Sequence, residues 1–240
     1  MSRIGAAAAA TPTLAQQLRI GTGALHAEVE RAGVMRRLLH GQLDRPGYCA
    51  LLRNLHAVYA ALEPALVRHA AHPAVAPVVF EALFRAAPVA TDLTDLHGAD
   101  WAAAIPLQSA TVRYVARLHE VAAHAPELLV AHAYLRYLGD LSGGQLLRKI
   151  VAESLHLPNG TGTRFYGFGS PADVAGHVRA FRAGLDALPL PAGRQAAIVN
   201  EACNAFRLHG ELFNELATAP TRLGADTDTD TDIAHPPIQA

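Results

Sequence analysis

The stretch Tyr134-Leu135-Arg136-Tyr137-Leu138-Gly139-Asp140-Leu141-Ser142-Gly143-Gly144-Gln145 decides how the chain is read. It lies inside a longer apolar-periodic run, Glu127 to Leu155, with Pro126 at a first-turn position, so the pattern predicts one helix interrupted by three glycines. Each glycine in a helix interior costs about 1 kcal/mol relative to alanine. Glycines at i and i+4 clear one face of side chains and let the helix bend, so that a flat ligand can lie against bare backbone. Asp140 stands beside the cleared face, and Arg136, one turn earlier, is placed to orient it or to balance its charge. The same letters also fit two helices joined by a Gly-Gly turn, and the residues alone leave both readings open.

Outward from this stretch the pattern stays helical. Leu14, Leu18, Leu25 and Val29 share one helix face, with Thr13 as a candidate cap. Pro46 opens a long helix that carries Leu51, Leu52, Leu55, Val58, Tyr59, Leu62 and Leu66 to about His69. Shorter helices are predicted around 74–85 and 99–104, and another over 109–123 with Val112, Tyr114, Val115 and Leu118. The Gly/Pro-rich region 158–170 reads as a loop, and helices over 172–187 and 192–217 follow. The last of these turns Ile198, Ala202, Phe206, Phe213 and Leu216 inward. No period-2 run rich in β-branched residues interrupts the series. The fold class is therefore all-α, one multi-helical domain over 13–218 without internal repeat. The Ala-rich residues 1–12 read as a disordered extension, and 219–240, with its Thr/Asp alternation, as a disordered tail.

Composition narrows the function. The 240 residues carry 20 Lys and Arg against 21 Asp and Glu, a formal charge of -1, which does not suit a nucleic-acid binder. Cys49 and Cys203 are the only cysteines and lie far apart in sequence, so neither a disulfide framework nor a thiolate zinc site is available, and a reducing, cytoplasmic setting is expected. Every candidate membrane span is broken by a charged residue or histidine before about 18 apolar residues are reached. No membrane partner is expected. Lys149 is the sole lysine. The unusual count is 13 histidines.

One of them has a partner at helical spacing. In Leu25-His26-Ala27-Glu28-Val29-Glu30, the Glu30 carboxylate is one turn from His26 and can reach its imidazole. Metal-ligating histidines usually have such an acceptor on the second nitrogen, which fixes the tautomer and raises basicity. A plain surface His–Glu pair has the same spacing. Other chemistries fail on their own terms. Leu141-Ser142-Gly143-Gly144-Gln145 matches the short signature of ABC-type ATPases, but no G-x-x-x-x-G-K-[ST] loop accompanies it. A di-iron carboxylate bundle needs paired Glu-x-x-His motifs, and Glu153-Ser154-Leu155-His156 stands alone. C-x-x-C-H is absent, so any heme would be held non-covalently.

Taken together these segments resemble the heme oxygenase family. The resemblance rests on Pro126-Glu127-Leu128-Leu129-Val130-Ala131-His132-Ala133-Tyr134 continuing through Gln145, which is close to the family's distal-helix signature. It extends to Leu25-His26, to Tyr114-Val115-Ala116-Arg117-Leu118-His119-Glu120-Val121, and to Ala205-Phe206 with Leu212-Phe213, covering roughly residues 12–218. The resemblance favours a bent distal helix over a Gly-Gly turn and implies cleavage of heme b by O2 and electrons from an external donor to biliverdin, Fe2+ and CO, at the α-meso position. Heme is then both cofactor and substrate.

The resemblance also assigns roles. His26 is the proximal iron ligand, hydrogen-bonded to Glu30, while Gly139 and Gly143 line the opposite face together with Ser142 and Gly144. Asp140 does not touch iron; by the family mechanism it holds an ordered water that steers attack to a meso carbon. Tyr59, Tyr114 and Arg136 extend that polar network. A neutral imidazole is a moderate donor that lets oxygen bind without the push a thiolate gives. Phe206 and Phe213 wall the macrocycle, and Arg19, Arg182 and Tyr134 meet its propionates. Gly23 and Val178 stand where relatives often carry basic residues, with Arg179 adjacent, which bears on regiochemistry. The implied form is soluble, bacterial in type, monomeric and without the C-terminal anchor of animal enzymes, reduced by a ferredoxin or a flavoprotein reductase. The alternative is a non-catalytic heme-binding or heme-trafficking protein, which could dispense with Asp140. His40, His56, His69, His72, His97, His119, His124, His132, His156, His177 and His235 read as surface or satisfied core residues. His209 is the exception: it falls three residues after Phe206, where relatives carry a polar residue near the water network, and a structural role is favoured over membership of that network.

Overall fold

Thr13 starts the first helix as predicted. Its hydroxyl accepts from Gln16 N at 3.4 Å while the Gln16 side chain accepts from Thr13 N at 3.1 Å, a reciprocal cap that opens α1 (Leu14–Arg31). The computed structural model describes residues 11–158 and 160–218. Residues 1–10 of the N-terminal extension and the whole 219–240 tail lie outside the described residues.

A short helix that periodicity does not reveal, α2 (Gly33–Leu39), follows directly. It has no side-chain cap and is fixed by packing instead. Gly33 adopts φ +34°, and a Cβ there would lie 2.2 Å from the Phe213 carbonyl oxygen, so only glycine permits this approach to the last helix. Asp44 then caps α3 (Arg45–Arg68), accepting from Gly47 N at 3.0 Å, with Pro46 in the first turn.

The helix expected around 74–85 is not formed. Two 3-10 turns, Ala76–Val78 and Glu81–Leu83, occupy that region, and the regular helix begins later as α4 (Ala86–His97). The reason is a cap supplied from far along the chain. The buried Glu63 of α3 accepts from Arg85 N and from Ala86 N, the latter at 3.2 Å. Arg85 itself donates to the carbonyls of Phe84, Ala82 and Gly167 at 2.7, 2.9 and 2.8 Å, fastening the turn to the Gly/Pro-rich loop. No local motif announces such a start.

Helices α5 (Trp101–Ala104) and α6 (Ser109–His124) fall close to their predicted places. The run predicted as one interrupted helix is continuous but not where expected: a 3-10 turn at Pro126–Leu128, α7 (Leu129–Ala133), a π-helical turn at Tyr134–Leu138, and α8 (Gly139–Ser154). The irregularity precedes the glycines, which lie within regular α-helix. A Gly-Gly turn does not occur. In the loop that follows, a 3-10 turn at Arg164–Tyr166 is held by the buried Asp92 of α4, which accepts from Arg164 N and Phe165 N at 2.9 and 2.8 Å. Ser170 and Asp173 cap α9 (Pro171–Asp186), and α10 (Ala192–Thr218) closes the domain.

The described residues form helices and turns without a strand. Helix α10 is the centre of the packing: α1, α2, α3, α6 and α7 all lean on it. Tyr48, Tyr59, Tyr114, Tyr137, Phe181 and Phe213 are fully buried among the leucines of this core. Among the described residues no helix is long and apolar enough to cross a membrane. Helix α1 and the α7–π–α8 run both rest on α10, and between them a slot is left open.

Candidate functional site

Two adjoining cavities make up the slot, with volumes of about 280 and 330 Å³. His26, Leu135, Gly139, Ser142 and Phe206 line both, so the two are compartments of one space. The larger also takes in Glu30, Arg136, Asp140, Gly143, Gly144 and Phe213, and the smaller Arg19, Tyr134 and Arg182. Residues as far apart in sequence as Arg19 and Phe213 are thus brought to one place.

His26 lies one turn after the buried Thr22 on α1 and lines the slot; its side chain is 49% exposed, with the Phe206 ring 5.9 Å away and edge-on. Glu30 Oε1 lies 3.6 Å from His26 Nδ1, within ion-pair range but longer than a hydrogen bond. The predicted His26–Glu30 hydrogen bond is therefore a looser contact, because both side chains are solvated and neither is fixed from a second side. With Glu30 nearest Nδ1, Nε2 is the nitrogen left for a ligand.

The opposite wall is backbone. A Cβ added to Gly139 meets nothing within 4 Å, and at Gly143 only Leu147 Cδ1 at 3.8 Å. These two glycines keep open space open. At Gly144 a Cβ would meet the Tyr166 ring at an ordinary contact distance of 3.6 Å, so packing there does not require glycine.

Beside the glycines lies a buried polar cluster. Arg136 Nη2 donates to Asp140 Oδ1 at 2.7 Å and to the Tyr59 hydroxyl at 2.6 Å, and Nε donates to the same hydroxyl at 3.0 Å. Tyr59 in turn donates to Asp140 Oδ2. Arg136 Nη1 donates to His209 Nε2 at 2.8 Å. Burial raises the Asp140 carboxyl above its ordinary range, opposed by the charge of Arg136 and the Tyr59 hydrogen bond. Burial likewise pushes the Tyr59 hydroxyl well up, so it stays a donor. Burial works against the charge of Arg136, yet Asp140 and Tyr59 hold its pKa above the ordinary guanidinium value. An ion pair in so dry a setting is sustained by its full set of hydrogen bonds.

Tyr114 is one step removed. Its hydroxyl lies 3.3 Å from His132 Nδ1, and His132 Nε2 is 3.1 Å from Glu201 Oε1. A carboxylate only accepts, so His132 donates from Nε2 and Tyr114 donates to Nδ1. Arg117 grips Glu201 with two bonds of 3.0 and 2.7 Å. Burial resists ionisation of Glu201, but the bonds from His132 and Arg117 hold its carboxyl down at about 2. Tyr114 thus belongs to a second chain of polar groups rather than to the Arg136 cluster directly. At the slot's other end, Thr22 donates to Leu18 O at 2.7 Å, which leaves Tyr134 to donate to Thr22 Oγ1 at 3.3 Å. Arg19 and Arg182 are exposed at the smaller cavity.

Sequence reasoning missed Thr22 and Glu201, and singled out His209 without naming its partner. A signal existed for the last two: Ile198, Glu201, Ala202, Ala205, Phe206, His209, Leu212 and Phe213 form the buried stripe of α10, so a Glu and a His occupy core register. Buried polar residues at such positions need partners.

Comparison with known proteins decides the family. The heme oxygenase family model matches residues 12–215. The chain belongs to the heme oxygenase family. It is 40% identical to heme oxygenase from Pyropia yezoensis over 88% of its own length and 89% of that protein. Crystal structures of heme oxygenase-1 and heme oxygenase-2 from Synechocystis sp. PCC 6803, the first in complex with heme and the second with heme and NO, superpose with TM-scores of 0.80 and 0.83. Their identities are 38% and 40%, covering 85% of this chain and 92% and 85% of those chains. Heme oxygenases are enzymes that cleave heme oxidatively to biliverdin, and the slot suits that substrate on its own features. Its glycine wall opens onto space, an accessible imidazole shares that space, apolar side chains line the interior, and two exposed arginines border it.

Proposed function

We propose that this chain catalyses the oxidative cleavage of heme, with dioxygen and reducing equivalents, to biliverdin, Fe2+ and carbon monoxide, opening the macrocycle at the α-meso carbon. Heme, when bound, supplies both the iron and the macrocycle that is cleaved. His26 would hold the heme iron through Nε2, and Glu30 near Nδ1 favours the tautomer that leaves Nε2 bare. Arg19 and Arg182 would hold the propionates, the Tyr134 hydroxyl could join them by giving up its 3.3 Å bond to Thr22, and Phe206 and Phe213 would exclude water from the macrocycle. Gly139, Gly143 and Gly144 keep the opposite face low, and Ser142 borders it.

The observation that carries the reading is Asp140 held beside the open glycine face. Its two oxygens accept from Arg136 and Tyr59 yet retain further lone pairs, and the residue borders the cavity. Asp140 is thereby suited to fix a water and pass a proton to a reacting atom at the glycine face. A heme carrier would have no use for a buried carboxylate there. The exposed arginines suit an acidic electron donor, a ferredoxin or flavoprotein reductase. The free thiols Cys49 and Cys203 accord with a reducing cytoplasmic setting, and we take the monomer as the working unit.

The test is aerobic addition of hemin and a reducing system to the purified chain. We expect the Soret band to decay with growth of biliverdin absorption, and the isolated isomer to be α. A Soret band that persists would leave the chain a heme-binding or heme-trafficking protein; another isomer would overturn the regiochemistry alone.

A further inference from the structure

The segment Arg164–Phe168 brings Phe165 and Tyr166 into the wall of the larger cavity, and its three aromatic side chains are buried. The Tyr166 and Phe168 rings stand at ordinary contact distance, 3.6 and 4.0 Å, from where a Cβ on Gly144 would lie, so they back the glycine run of α8. Phe165 faces the Tyr59 ring, with centroids 5.9 Å apart. Apart from one 3-10 turn the segment has no regular structure of its own. Its main-chain donors and acceptors therefore need partners from elsewhere.

Those partners are two buried charges of one helix, Arg85 immediately before α4 and Asp92 about two turns further on. Asp92 serves the donors: Oδ1 accepts from Arg164 N at 2.9 Å and Oδ2 from Phe165 N at 2.8 Å. Arg85 serves the acceptors, with Nη1 donating to Gly167 O at 2.8 Å and to Phe165 O at 3.4 Å. The rest of its guanidinium closes on Ala82 O, Phe84 O and Leu83 O at 2.9, 2.7 and 3.1 Å, and lies over the Phe168 ring at 4.0 Å. Among the described residues, all the hydrogen bonds of this side chain end on main-chain carbonyls. Burying an ion costs more than burying an apolar side chain of similar volume, so packing accounts for neither residue. What the two charges supply is a set of charge-assisted hydrogen bonds of fixed geometry, the anion on successive N–H groups and the cation on carbonyls of the same segment.

We infer that Arg85 and Asp92 are positioning residues that clip the main chain of Arg164–Phe168, one by its carbonyls and the other by its N–H groups, and so hold the Phe165 and Tyr166 rings in the cavity wall beside the glycine face. The turnover half of this inference rests on the function proposed above; the clip does not.

Hydrogen exchange of the heme-free chain reads the clip without any turnover. The Arg164 and Phe165 amides should be protected in the parent chain. Asp92→Asn keeps one acceptor oxygen and sets a donor against the other amide, so their exchange should quicken by about tenfold. Arg85→Met fills space over Phe168 without donors and should quicken the Phe165 amide by a similar factor, although that amide's own partner, Asp92, is untouched. The Ala86 amide, held by Glu63, is the reference and should stay within about twofold in Asp92→Asn. Because both substitutions release one segment, the double variant should exchange within about twofold of the faster single variant. With hemin, each variant should form biliverdin about tenfold more slowly at saturation, hemin affinity staying within about twofold.

Unprotected Arg164 and Phe165 amides in the parent chain overturn the inference whether or not the variants fold. So does parental exchange in either variant, and so does additivity of the two substitutions, which would mark separate packing roles. Quickened exchange with parental turnover confines the clip to folding and overturns its positioning role. If the parent chain makes no biliverdin, the proposed function fails, and the exchange rates still decide the clip.

Discussion

The two walls of the slot are built on opposite plans. On the α1 side, His26 and Glu30 are solvated, 3.6 Å apart, and have no hydrogen-bond partner among the described residues. On the α8 side, Tyr59, Arg136, Asp140 and His209 are buried, and every heavy-atom contact among them is 3.0 Å or shorter. A ligand that forms a bond to its protein partner can order that partner on arrival, so the His26 side needs little organisation beforehand. Groups that must present a proton to a reacting atom have no such help and must be held in advance. The difference places the stability cost of function on the α8 wall, where the fold has to sustain a buried charge.

Paired substitutions would break this contrast if it is wrong, and the largest effect belongs to the buried wall. Asp140→Ala leaves the Arg136 charge enclosed without its anion, and about 3 kcal/mol of stability should be lost. His26→Ala removes a solvated side chain and should change stability by less than about 0.5 kcal/mol. The spectroscopic outcomes run the other way. Asp140→Ala should bind hemin with parental axial ligation and yield no biliverdin, whereas His26→Ala should lose the axial ligation, read from the ferric spectrum. Denaturant melts and spectra of both variants check it; similar destabilisation by the two would end the distinction.

A smaller effect sharpens it one layer deeper, at Glu201. Its folded carboxyl is held at about 2, below the ordinary 4.5, by His132 and Arg117. A depressed carboxyl stabilises the fold above its unfolded value and loses that contribution as pH falls from about 4.5 through 2. The stabilisation at stake is roughly 2 kcal/mol after allowance for coupling to His132. Stability of the parent chain should therefore drop between pH 5 and 2 more steeply than that of Glu201→Gln, as followed by urea melts at stepped pH. Parallel pH curves would show that the Tyr114–His132–Glu201 chain carries no charge-linked stability.

The same contrast explains what could be read in advance. Helices with local caps and long apolar periods, such as α1 with Thr13 and α3 with Asp44 and Pro46, were legible because their signals lie within a few residues of one another. Helix α4 was not, since its cap is Glu63, more than twenty positions upstream. Arg136 and Asp140 are four residues apart on one helix, so their pairing followed from spacing. The partners from other helices, Tyr59 and His209, meet them only through packing, and in one sequence Glu201 and His209 show themselves only as polar residues in core register. The His26–Glu30 contact had correct spacing but proved longer than a hydrogen bond, because spacing gives reach and not restraint. The π-helical turn at Tyr134–Leu138 had no sequence signal we can identify.

The smallest predicted effect concerns the glycine wall itself. Gly139 lies within α8 at an ordinary helical conformation, and a methyl group added there touches nothing within 4 Å. By helix propensity alone, Gly139→Ala should stabilise the heme-free chain by about 0.5–1 kcal/mol. A residue whose replacement improves the fold is retained for another reason, and the only neighbour of that missing methyl is the slot. The substitution should therefore raise the melting temperature without hemin, by a few degrees for a chain of this size, while lowering biliverdin yield with it. Gly144→Ala is the comparison on the same helix: its methyl would meet the Tyr166 ring at an ordinary contact distance of 3.6 Å and should stabilise the heme-free chain by a similar amount. Should Gly139→Ala be stabilised and turn over hemin at the parental rate, the open face at position 139 would be incidental, and the space for substrate would have to be sought at Gly143.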